Sequence, residues 1–240
     1  MVLRPFLLRQ PLQTLQNNEL LCDFVTRILP EYFMATCYLC GSPATTVDHV
    51  PPQGFFPNLP SNVVKLDACQ KCNSSASLDE EYFRTALAAL AYAHSAAARE
   101  VWDGAVKRSF GRRPQGLRAR LERDLVKLQV RAQDGTVAEL PGLGVDGARA
   151  VAVVRKIARG IYFREQSKQL ADDELLLFRD EDVKIDFRST TQSWPEVDMG
   201  ETFRYRSMHS PEGSMIWLEF YRFNWWLALT GNEARTYPFK

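Results

Sequence analysis

The sequence predicts an α+β protein in three segments: an N-terminal extension over residues 1–33, a cysteine-stapled module over 34–106, and a region over 107–240 that ends in antiparallel strands. Three observations carry this. Two Cys-x-x-Cys pairs, Cys37-Tyr-Leu-Cys40 and Cys69-Gln-Lys-Cys72, bracket a stretch with two strand candidates. Apolar residues recur at helical spacing after the second pair and again over 146–169. The last third alternates apolar and polar residues between turn sequences, the period of half-buried strands.

The extension is mixed in composition, with a helix candidate around Asn18 to Leu29 closed by Pro30. Its single thiol, Cys22, lies in an apolar stretch and reads as a small buried hydrophobe. The four cysteines that follow are different. Each pair offers two thiolates from one tight turn, and four together suit a tetrahedral structural Zn²⁺ on Cys37, Cys40, Cys69 and Cys72. The gap from Cys40 to Cys69 implies a structured insertion. Within it, Thr45-Thr46-Val47 leads as a strand into Asp48-His49, and Val63-Val64-Lys65-Leu66 follows Asn62 as a second strand. A proline-rich loop, Pro51 to Pro60, joins them. After Cys72-Asn73, the run Ser77-Leu-Asp-Glu80 matches a capping box opening a helix. The order is strand, loop, strand, helix, and the stapled segment holds an acid, a histidine and two flanking asparagines.

The string Cys-x-x-Cys, Asp48-His49-x-x-Pro, Asn62, Cys-x-x-Cys-Asn73 resembles the HNH endonuclease motif, the ββα-metal nuclease fold in its zinc-stapled form. The resemblance covers residues 35 to 85. It implies that His49 is the general base that activates water, that Asp48 and Asn73 hold one catalytic Mg²⁺ or Mn²⁺, and that Asn62 orients the His49 ring. It also implies phosphodiester hydrolysis in nucleic acid, DNA in preference to RNA, in a setting such as restriction, phage defence or a mobile element. Zinc knuckles of this kind often sit near a chain's beginning, so Met34 is a natural start and the extension is a docking segment or an early-placed start. Gly54-Phe55-Phe56-Pro57 stands where the family usually has Gly-Gly, and no basic residue follows Asn73 closely.

The chemistry stands beside the resemblance. A neutral imidazole can accept a proton at physiological pH, and hard oxygen donors such as Asp48 and Asn73 suit Mg²⁺ or Mn²⁺ rather than zinc. Each residue also has a plainer reading: Asp48-His49 as a turn acid with a surface imidazole, Asn62 as a turn cap, Asn73 as a helix-entry residue. Asp79, Glu80 and Glu81 read as first-turn acids, and His94 and His209 as structural. The alternative function is a non-catalytic zinc-stabilised module that binds nucleic acid or protein.

Net charge is +1, which excludes a whole-surface nucleic-acid binder. Basic residues gather between Lys107 and Arg131, and Arg155, Lys156, Arg159, Arg164 and Lys168 form a second cluster on a helix candidate. Either tracks phosphates or is a solvated helix face. Charged residues at 25%, zinc-type cysteine usage and no run long enough to span a bilayer predict a cytoplasmic protein without a membrane partner.

Beyond the module, Glu80 to Val106 reads as one alanine-rich helix and Leu117 to Asp124 as a short one. Val126–Val130 and Thr136–Leu140 alternate around Asp134-Gly135 as a hairpin. Asp146 to Gln169 is the next helix. Strands are predicted at Leu175–Phe178, Val183–Phe187, Phe203–Ser207, Met215–Phe223 and Trp225–Leu229, with Pro211-Glu-Gly213 as a turn. The aromatic residues Trp217, Phe220, Tyr221, Phe223, Trp225 and Trp226 are expected in a sheet core rather than as a stacking platform.

Overall fold

In the computed structural model, which describes residues 35–112, 116–131, 134–179, 182–183 and 187–231, the stapled insertion forms a hairpin. The extension, with Cys22, lies outside the described residues. Strand β1 (Thr46–Val50) pairs antiparallel with β2 (Val64–Ala68), His49 opposite Lys65 and Val50 opposite Val64. Alternation sorts the side chains: Val64, Leu66 and Ala68 go inward while Lys65 and Asp67 stay in water. A 3₁₀ turn over Gln53–Phe55 in the connecting loop buries Phe55.

Helix α1 (Gln70–Ser75) follows, and α2 (Ser77–Ala91) starts almost at once. The expected capping box is absent. Ala76 occupies the cap position, and its carbonyl accepts from Glu80 N at 2.8 Å, so the side chain of Glu80 is available for another partner. The single helix predicted to reach Val106 is interrupted at Tyr92–Ser95. Ser95 is buried and caps α3 (Ala96–Val101), its hydroxyl accepting from Ala98 N, while the Glu201 carboxylate accepts from Ala96 N and Ala97 N at 3.1 Å each. The chain then widens into a π turn over Trp102–Val106 and runs on into α4 (Lys107–Arg112). The expected module boundary at 106 thus falls inside a continuous helical run.

Helix α5 (Leu117–Arg123) leads to the hairpin of β3 (Leu125–Arg131) and β4 (Val137–Leu143), which turns at Asp134-Gly135 with Gly135 at φ +89°. Helix α6 (Gly147–Gln166) begins at Asp146, whose carboxylate accepts from Ala148 N and Arg149 N. Strand β5 (Leu175–Arg179) precedes a short helix α7 (Phe187–Thr190), then β6 (Glu196–Asp198), β7 (Phe203–His209), β8 (Gly213–Phe220) and β9 (Asn224–Gly231). The last five strands form one antiparallel sheet in the order β5-β9-β8-β7-β6. Two expectations change here. Phe187 opens a helix rather than closing a strand, and residues 184–186 lie outside the described ones. Strand β6 spans only Glu196-Val197-Asp198, too short for its alternation to signal; its pairing with β7, Val197 opposite Tyr205, makes it a strand.

From Thr36 onward the chain is one compact unit. Helix α6 buries Val153, Val154, Ile157, Ala158 and Ile161, and one apolar cluster joins them to Val50 and Leu66 of the hairpin, Phe83 of α2 and Phe203 and Phe220 of the sheet. Phe55, Phe83 and Phe220 pack with ring centroids 5.6–6.0 Å apart. Trp217, Phe220 and Tyr221 are fully buried, so the C-terminal aromatics build core. Tyr221 donates its phenol proton to the Phe55 carbonyl at 2.8 Å, tying the sheet to the loop that follows His49. No helix of the described residues is long and apolar enough to cross a membrane.

Helix α6 reaches β1 through a glycine. A Cβ at Gly160 would lie 2.7 Å from Val50 Cγ2 and 3.0 Å from Cγ1, so rotating the valine does not clear it. Gly160→Ala is expected to introduce about 1–3 kcal/mol of overpacking strain, partly offset by the ~1 kcal/mol helix gain of alanine. Urea denaturation of the variant measures the net loss.

Candidate functional site

The four cysteines converge on one point from two tight turns. In the first, Cys37 N donates to Ser42 O at 2.8 Å and Gly41 N to Cys37 O at 2.9 Å, with Gly41 in the left-handed region at φ +73°. In the second, Cys69 stands at the N-cap of α1, its Sγ accepting from Cys72 N at 3.4 Å. All four sulfurs lie within 4.8 Å of one another, and Cys40 Sγ and Cys69 Sγ are 3.7 Å apart. Zinc at about 2.3 Å from each of four tetrahedral sulfurs would set them about 3.8 Å apart. The four-cysteine cluster could therefore hold a zinc ion. Hydrogen bonds from Ser42 draw the Cys40 thiol down to about 6, while burial and the neighbouring thiols push Cys72 up. The knuckle is anchored on the far side as well: Gln169 Nε2 donates to Cys37 O and Arg159 Nη2 to Leu39 O, both at 2.8 Å.

Beside the hairpin lies a cleft of about 600 Å³ whose walls include Asp48, His49, Asn73, Glu80, Glu81 and Arg84. Three of the four expected catalytic residues meet there. Strand alternation divides the first two. His49 is half-exposed on the outward face of β1, whereas Asp48 is 5% exposed on the inward face. Asp48 Oδ2 accepts from the Tyr38 hydroxyl at 2.9 Å and pairs with Lys156 Nζ at 2.8 Å. Lys156, 7% exposed, also meets Glu80 Oε1 at 2.8 Å and donates to Asn73 O at 3.4 Å. Burial alone would lower the Lys156 pKa, but the two carboxylates outweigh it and raise it. Burial pushes Glu80 up, against the pull of Lys156. Burial and the adjacent Asp48 also push the Tyr38 phenol up, which keeps it a hydrogen-bond donor.

Asn73 ties α1 to β1: its Nδ2 donates to Thr46 Oγ1 at 3.0 Å and Val47 O at 3.3 Å, leaving Oδ1 as the acceptor of that side chain. Asn62 is placed elsewhere. Its amide donates to the Asp198 carbonyl at 2.8 Å, and it does not line the cleft. Asp79 pairs with Arg149 at 3.5 Å. His94 packs edge-on against Phe223, and His209 sits between Glu165 and Ser214 at 2.7 and 2.8 Å.

No known protein family, curated protein or solved structure matches the chain.

Lys156 is the residue that sequence reasoning placed wrongly, in a basic cluster that faced solvent or phosphates. Its neighbours in that cluster are also committed: Arg155 donates to Leu175 O at 2.9 Å, and Arg159 pairs with Asp172. The signal for Lys156 was its place on the apolar stripe, three residues after Val153 and one before Ile157. Lys156→Met would leave the buried Asp48 and the partly buried Glu80 without their cation. A loss of about 3–5 kcal/mol in unfolding free energy is expected near neutral pH. The loss should shrink on acidification, as Glu80, whose pKa burial raises, takes up a proton, and denaturant titrations at two pH values check both parts.

Proposed function

We propose that this chain is a metal-dependent phosphodiester hydrolase of the HNH type, acting on nucleic acid and on DNA in preference to RNA. The observation that supports this reading is the convergence of His49, Asp48 and Asn73 on one cleft of a strand–strand–helix unit whose ends are joined by the four-cysteine cluster. Zinc on those cysteines is structural. It ties the Cys37–Cys40 turn ahead of β1 to the start of α1 and so sets Asn73 against β1.

His49 is the general base. From the outward face of β1 its imidazole takes the proton of the attacking water, the task of a general base. Asp48 and Asn73 would hold Mg²⁺ or Mn²⁺ through oxygen atoms. Their surroundings fit a cation: two carboxylates, Asp48 and Glu80, face one ammonium, leaving one formal negative charge. When bound, the metal supplies Lewis-acid stabilisation of charge on the scissile phosphate and the departing oxygen. Lys156 and Tyr38 hold Asp48 through Oδ2, which orients the carboxylate and leaves Oδ1 for a ligand. Asn62 has no part in this reading, because its amide is tied to Asp198.

The test is a substrate panel. Zinc-loaded protein is incubated with duplex DNA, single-stranded DNA and RNA, with and without Mg²⁺ or Mn²⁺. Metal-dependent strand scission is expected, fastest on DNA; intact substrate in every arm contradicts the proposal. The burial of Asp48 in an ion pair favours a second reading, a zinc-stabilised binding module without turnover. Under it, the panel shows affinity and no cleavage.

A further inference from the structure

We propose that Arg84, assisted by Arg108, forms a subsite for a backbone phosphate of nucleic acid, next to the bond that His49 would cut. The identity of the anion rests on the phosphodiesterase reading; the anion site itself rests on the residues.

Arg84 lines the His49 cleft from α2 with a side chain only 14% exposed. Its acceptors are poor. The ion pair to Glu81 spans 4.0 Å, too long for a hydrogen bond, and the buried Nε has no hydrogen-bond partner among the described residues. Arg149 Nη1 and Arg159 Nε are also buried without a hydrogen-bond partner among the described residues. Arg159, like Arg155, nevertheless donates to a main-chain carbonyl at 2.8–2.9 Å and pairs with a carboxylate or carbonyl of the 172–175 segment, whereas no hydrogen bond among the described residues holds the Arg84 guanidinium. The guanidinium instead lies over Gly54, where a Cβ would come within 2.8 Å of Nη1. Gly54 also borders a second cleft, of about 750 Å³, lined by Arg99 and Arg108. Arg84 thus stands where two open clefts meet.

Burial lowers the Arg84 pKa, Glu81, Tyr221 and Glu80 act to raise it, and the positive charge of Arg108 lowers it further. A buried guanidinium beside another, short of acceptors, is costly unless an anion completes it. A phosphate does so well, because its paired oxygens match the fork of donors on arginine. A strand laid along the joined clefts would bring one phosphate to Arg84 as another reaches His49.

The experiment uses the zinc-loaded His49→Ala protein without added Mg²⁺, so that binding is read without cleavage. Anisotropy of a short fluorescein-labelled DNA duplex gives Kd over a series of salt concentrations. Arg84→Gln is expected to weaken binding about tenfold and to reduce the salt slope by about one. It should melt no lower than its parent, since glutamine removes an under-paired buried charge. Arg84→Lys should fall between, keeping charge but losing the fork. Gly54→Ala, which displaces Nη1 and keeps the arginine, should also weaken binding. An unchanged Kd and salt slope in Arg84→Gln overturns the proposal, as does a parent that binds no DNA at low salt. Should Arg84→Gln melt lower, Gly54→Ala decides, and unchanged affinity there overturns it. Failure of the hydrolase reading looks different: binding that depends on Arg84, with no cleavage by the wild type.

Discussion

Replacing His49 with alanine is expected to slow phosphodiester cleavage at least ~10²-fold, the lower end for loss of a general base. Zinc content and melting temperature should not move. The side chain stands half-exposed on the outward face of β1, so its removal opens no hole in the core. Asp48, one residue earlier, behaves differently: it is buried against Tyr38 and Lys156, and truncating it would confound chemistry with folding. Single-turnover rates with wild type and His49→Ala, beside thermal melts of both, separate the two effects.

Cys69→Ser is expected to have the largest effect on folding. Cys69 is a candidate zinc ligand and also caps α1, where its sulfur accepts from Cys72 N. Structural zinc contributes roughly 10–16 kcal/mol of apparent binding free energy in small zinc modules. That exceeds or matches the 5–15 kcal/mol net stability of an ordinary domain. Here the consequences spread, because Cys37, Ala68 and Val50 share one apolar cluster with α6 and the C-terminal sheet. Circular dichroism should show loss of the cooperative melt in Cys69→Ser. Chelator should do the same to wild type, reversibly on adding Zn²⁺, whereas added Zn²⁺ should not rescue the variant.

What the sequence disclosed and what it withheld divide along the range of the interactions. The four-cysteine cluster was legible because each Cys-x-x-Cys turn is local and two such pairs have few other uses. The hairpin around Asp134-Gly135 and helix α6 were legible for the same reason: turn chemistry in one, apolar period and an Asp146 cap in the other. The C-terminal aromatics alternate with polar residues, and that pattern did predict a core. The partners of Asp48 could not be read locally. Lys156 lies in a helix far along the chain, and a lysine next to Arg155 in a run of basic residues looks like part of a surface patch until the fold brings it to a carboxylate. Ser77 to Glu80 matched a capping box by letter, but α1 runs so directly into α2 that Ala76 takes the cap position. Strand β6 exists only through its pairing with β7. Arg84 was overlooked because Glu81 and Arg84, three apart on a helix, resemble an ordinary exposed ion pair.

The most direct measurement is the conversion of supercoiled plasmid to nicked or linear forms by zinc-loaded wild type and His49→Ala, side by side, with and without Mg²⁺. Metal-dependent conversion by wild type, at least ~10² slower in the variant, is the predicted result. Equal conversion by both proteins would contradict the assignment of His49. No conversion by either, while DNA binding persists, would contradict hydrolysis at this cleft and leave a zinc-stabilised binding module.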